Sequence, residues 1–91
     1  MGEVMFVVVR MTRLGDGRWR AEGRAYEDVY LGDVVLASSD EPGHPDAVVT
    51  VVRIRTYGED VPELNRMTTG ELTVDTETAT SLEEVTRLSR R

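Results

Sequence analysis

The chain has no cysteine, which excludes a disulfide framework and any thiolate metal site. It has one histidine, His44, in the turn-forming stretch Ser39-Asp40-Glu41-Pro42-Gly43-His44-Pro45-Asp46. A lone imidazole there supplies neither a nucleophile–base–acid arrangement nor the four nitrogen or sulfur ligands of structural zinc. Lysine is also absent, so no Gly-Lys-Ser/Thr phosphate loop exists and nucleotide hydrolysis has no seat. Aromatic residues make up 5% of the chain, too few to give a sugar platform around the carboxylate pairs Glu27-Asp28, Asp40-Glu41, Glu59-Asp60 and Glu83-Glu84. Those pairs sit where turns or a helix start use acids for structure. We therefore expect no catalytic residue, no metal site and no cofactor. No long hydrophobic run occurs either: Val4–Val9 is short and follows the acidic Glu3, which reads as neither signal peptide nor membrane span. The expectation is a cytoplasmic protein without a membrane partner.

What is present suits one small domain. Ninety-one residues support a single core. A net charge of -6 argues against an obligate duplex-DNA binder while leaving room for a local basic face. All 11 basic residues are arginine, which fits either bidentate anion recognition or a codon bias.

Residue alternation marks strands. Val4 to Met11 is apolar on both parities, with Met5, Val7, Val9 and Met11 on one side and Val4, Phe6 and Val8 on the other. Leu14-Gly15-Asp16-Gly17 turns the chain into a second strand. There Trp19, Ala21, Gly23 and Ala25 share the inward face, and Gly23 leaves room for a neighbouring side chain. Asp33–Ser38 reads as a third strand and Ala47–Tyr57 as a fourth, with Ile54 on its core side. Val61–Leu64, held to an edge by Pro62, and Glu71–Asp75 complete the sheet. The expected core contains Val7, Val9, Trp19, Ala21, Val35, Val52, Ile54, Leu72 and Val74. After Thr76, Ser81-Leu82-Glu83-Glu84 fits a capping box with Leu82, Val85 and Leu88 on one helical face. This predicts a barrel over residues 1–76 and a C-terminal extension, 77–91, ending in a short helix.

The run from Gly15 and Gly17 through Gly23-Arg24-Ala25, Val29, Leu31 and Gly32-Asp33 resembles the second, β-barrel domain of translational GTPases such as elongation factor Tu. Val52-Arg53-Ile54, Tyr57-Gly58, Val61-Pro62-Glu63-Leu64 and Gly70-Glu71-Leu72-Thr73-Val74 extend the resemblance over most of the chain. Ala25 stands where that pattern has valine, and the Gly23–Gly32 segment is one residue shorter. The resemblance implies an all-β, small antiparallel Greek-key barrel. It carries no GTPase activity with it, because the nucleotide-binding domain has no counterpart, and it transfers no site residue.

Two surface features bear on function. Arg18, Arg20 and Arg24 lie on the second strand, joined by Arg53 and Arg55, with Tyr26, Tyr30 and Tyr57 available to stack beside them; this set could contact RNA or an acidic partner, or serve only as a solvated sheet face. The doubly apolar first strand leaves Val4, Phe6 and Val8 on its outer side, an edge that would be covered by self-association. The sequence thus points to a noncatalytic interaction module that forms a homo-oligomer or binds a protein partner, with RNA or ribosome binding as the alternative.

Overall fold

The computed structural model describes residues 3–77 and 79–91, and all regular structure among them is strand. Strands β1 (Val4–Gly15) and β2 (Arg18–Ala25) form a hairpin through Asp16-Gly17, where the left-handed φ of 70° at the second turn position falls on a glycine, which has no Cβ to oppose it. Then follow β3 (Val29–Tyr30), β4 (Val34–Ser38), β5 (Ala47–Thr56), β6 (Glu59–Asp60), β7 (Glu63–Leu64), β8 (Thr69–Asp75) and β9 (Arg87–Arg90). Six of them close a ring in the order β1-β2-β8-β5-β4-β9, every pairing antiparallel. The expected closed antiparallel barrel is present. Closure gives each long strand two neighbours, which short chains rich in β-branched residues need if their backbone groups are to be satisfied without a second sheet. The ribbon β3–β7 adds the buried Val29 and Leu64 to the core.

Strand β2 alternates without interruption, so Trp19, Ala21 and Ala25 all point inward as expected, alongside Val35, Ile54, Leu72 and Val74. Gly23 and Gly70 face each other across β2 and β8. A Cβ on Gly23 would run into the Val7 carbonyl oxygen and meet the Phe6 ring at 3.1 Å, and one on Gly70 would fall 2.9 Å from Leu64. The missing side chains are thus filled by Phe6 and Leu64, the largest apolar groups near that end of the sheet.

Three expected core residues are on the surface instead. Val7, Val9 and Val52 are 38%, 83% and 39% exposed, while Phe6 is fully buried. The cause is bulging. In β1 the register slips between Val4 and Phe6 against β9 and again between Val8 and Arg10 against β2, so Met5 and Phe6 are both buried and Val7 and Val9 turn outward. In β5 a slip between Val51 and Arg53 flips the parity: Val49, Val51 and Ile54 are inside and Val52 is outside. Each extra residue moves every later side chain to the other face.

The C-terminal helix is absent. Ser81 Oγ accepts a bond from the Glu83 amide at 3.3 Å and the Val85 amide reaches the Leu82 carbonyl at 3.0 Å, one turn that goes no further. The chain then extends as β9 between β1 and β4, with Leu88 opposite both Phe6 and Ala37. A helix of about ten residues is marginal alone, whereas a strand here satisfies two open sheet edges at once. Leu82, Val85 and Leu88, the residues of the expected helical face, are buried all the same. Because β9 is a stave of the barrel, the barrel draws on chain from both sides of the boundary at 76/77.

Candidate functional site

The outer face of β2, β8 and β5 carries the arginines singled out by sequence. Arg18 donates twice to Asp75, Nε at 2.7 Å and Nη2 at 2.9 Å, across the β2–β8 ladder. That bond holds the Asp75 carboxyl below the usual aspartate range and raises the guanidinium in turn. Arg53 makes the same fork with Asp60, at 2.8 and 3.2 Å, and lowers it likewise. Arg20 approaches Glu71 at 3.5 Å, and Arg55 approaches Asp60 at 3.7 Å while donating to the Gly58 carbonyl at 3.0 Å. Only Arg24 of the five lacks an ion pair or hydrogen bond among the described residues. The fold therefore brings all of them to one side but matches four with acids one strand away, an arrangement that stabilises the ladder and leaves little uncompensated positive charge.

Beside Arg24 lies an open groove of about 560 Å³ across the end of this face, lined by Val7, Val9, Tyr26, Tyr57 and Arg55. Tyr57 opens the tight turn between β5 and β6 with φ 52° and Gly58 follows at 79°. Both central residues are left-handed, as in a type I′ turn, a conformation that disfavours a bulky residue at the first position. Tyr57 is 89% exposed, so no packing within the chain compensates the strain. Val9 at 83% and Tyr26 at 43% complete an uncovered apolar cluster. The sequence signal for Tyr57 was the Tyr-Gly turn; that for Val9 was hidden by the bulge. Of the residues expected to self-associate, Val4 is 39% exposed, Val8 is partly buried against the core and Phe6 is inside it, so Phe6 offers no surface.

A second feature runs along β1. One edge of the strand pairs with β2 from Phe6 to Gly15, but the other pairs with β9 only from Val4 to Val7, and the Val8 amide makes the last bond there, to the Thr86 carbonyl at 2.9 Å. From Val9 to Leu14 that second edge makes no backbone hydrogen bond among the described residues. An open groove of about 850 Å³ follows it, walled by Met11, Thr12 and Arg13 on one side and by Thr80, Glu77 and Glu83 on the other.

Elsewhere, chemistry is sparse. The two ring nitrogens of His44 lie 2.9 Å from the Pro45 carbonyl and 3.1 Å from the Ser81 carbonyl, tying the long loop to the C-terminal segment. Glu3, Glu27, Asp28 and Arg90 meet at one corner, where hydrogen bonding to Glu27 pushes the Glu3 carboxyl up. No three His, Asp or Glu among the described residues are placed to hold a metal ion, and no helix among them is long and apolar enough to cross a membrane. The chain matches no protein-family model, no curated protein and no solved structure.

Proposed function

We propose that this chain is a noncatalytic interaction module, a barrel of the kind that forms the second domain of translational GTPases, acting in the cytoplasm by self-association or by binding a protein partner. The observation that carries it is Val9: an aliphatic side chain 83% exposed on a long central strand, with Val7, Tyr26 and the strained Tyr57 beside it. Scattered exposed aliphatics are ordinary, but a cluster with strain at its rim is a candidate contact surface. Light scattering at rising concentration tests the reading. The wild type should gain mass or retain a partner, and Val9→Asp with Tyr57→Asp should remove that gain without changing the melting transition. Unchanged association in the double variant would sink it.

RNA binding is the second reading, favoured by one observation: Arg24 has no acid partner among the described residues and lines the same groove as Tyr26 and Tyr57. A fluorescent single-stranded RNA titrated at low salt should then bind, weaken steeply with added salt and lose affinity on Arg24→Glu.

A further inference from the structure

We propose that a second copy of this chain adds its own Val9–Leu14 to the open edge of β1, antiparallel, so that the two barrels share a continuous sheet across a twofold axis near Thr12. This rests on the self-association proposed above and adds to the contact at the Val9–Tyr57 cluster the strand edge that begins at Val9. The first ground is the backbone. Six residues of a twelve-residue strand expose one row of amide and carbonyl groups, and that row lines a groove rather than lying under a covering loop. Unpaired edges of this kind are templates for another strand, and natural barrels remove them by closure, by proline or by short length. Between Val9 and Leu14 there is no proline, and what blunts the edge is the charge of Arg10 and Arg13 and the register shifts at Val8/Arg10 and Arg13/Gly15.

Charge selects the occupant. Glu77 and Glu83 on the far wall of the groove are exposed and make no ion pair among the described residues. Arg10 and Arg13 of the same chain line the near wall, so the groove carries both signs and a second copy related by a twofold meets each wall with the opposite one. A second β1 brings Arg10 and Arg13, whose side chains are 73% and 63% exposed. Among the described residues Arg10 has only a 3.8 Å approach to Glu22, so it is available to a neighbouring acid, whereas Arg13 is bonded to Asp16 at 2.9 Å. Symmetry also permits the register. A twofold perpendicular to the sheet pairs residues of like parity, so Thr12 lies opposite its own equivalent, Arg10 opposite the partner's Leu14 and Met11 opposite the partner's Arg13. No arginine then faces an arginine directly, and the 46% exposed Leu14 is covered.

Amide hydrogen exchange, read residue by residue at concentrations below and above the association midpoint, tests this. The amides of Val9–Leu14 that point away from β2 should be protected about tenfold or more on association, whereas those bonded to β2 should already be slow. Glu83→Arg should raise the midpoint by about tenfold while leaving the far-ultraviolet circular dichroism of the folded barrel unchanged. If the protein associates and these edge amides stay fast, self-association survives and the edge-to-edge arrangement is overturned. A midpoint unmoved by Glu83→Arg overturns the charge pairing that selects a second copy. A monomer at every concentration overturns both this proposal and the self-association on which it rests.

Discussion

Gly23 has no space for a side chain, because its inward direction is already occupied by the Phe6 ring and the Val7 backbone. Gly23→Ala should therefore destabilise the barrel by about 1–3 kcal/mol through overpacking, measured by urea unfolding followed through Trp19. Ile54→Ala, which opens a cavity between β5 and β8, should cost about 2–5 kcal/mol; a change within experimental scatter would mean that this side chain is not in the core. Phe6→Asp places an unpaired charge at a fully buried site and should unfold the protein rather than merely dissociate it. At this scale, legibility depended on whether a strand runs straight. Trp19, Ala21, Leu72 and Val74 were readable because β2 and β8 pair in unbroken register. Val7, Val9 and Val52 were misplaced because single-residue bulges reverse the alternation inside the valine runs Val7-Val8-Val9 and Val51-Val52, where the residues on the two faces are the same and the reversal changes no polarity.

Among elements, β9 shows how local and long-range preferences compete. Ser81 and Glu84 are spaced as a helix start, and the apolar residues that follow fit a helical stripe equally well as buried loop and strand positions. What decides is the pair of open edges on β1 and β4, which lie more than forty residues upstream in the case of β4 and are invisible to any local pattern. Removing residues 86–91 should open the ring and abolish cooperative unfolding, with aggregation from the freed edges. A truncated chain that still melts in one sharp transition would show that β9 is dispensable. The cross-strand pair of Arg18 and Asp75 makes a second element-level prediction. Asp75 is held below its ordinary value in the folded state, so as pH falls the unfolded chain takes up its proton first. The stabilisation is present above the usual aspartate value of about 3.9 and is lost as pH drops through the lower folded value. Asp75→Asn should accordingly flatten the loss of stability between neutral and acid pH, seen as a smaller shift in melting temperature. The arginines themselves were legible as a group on one face; that four of five are matched by acids depended on which strands became neighbours, and the chain order does not reveal that β8 lies between β2 and β5.

For the molecule as a whole, six strands close a ring that leaves an open edge along one half of its longest strand among the described residues, and its acid excess is distributed so that the arginine face is largely neutralised. Long-range attraction to polyanions is therefore weak, and short-range apolar and backbone contacts are what the surface has to offer a partner. Sedimentation equilibrium of the intact protein over a wide concentration range, at low salt and again near molar salt, tests this most directly. The account predicts a concentration-dependent rise toward twice the 10.2 kDa chain mass that persists at high salt, since burial of apolar surface and strand pairing are not screened. A single 10.2 kDa species at every concentration in both buffers would contradict it.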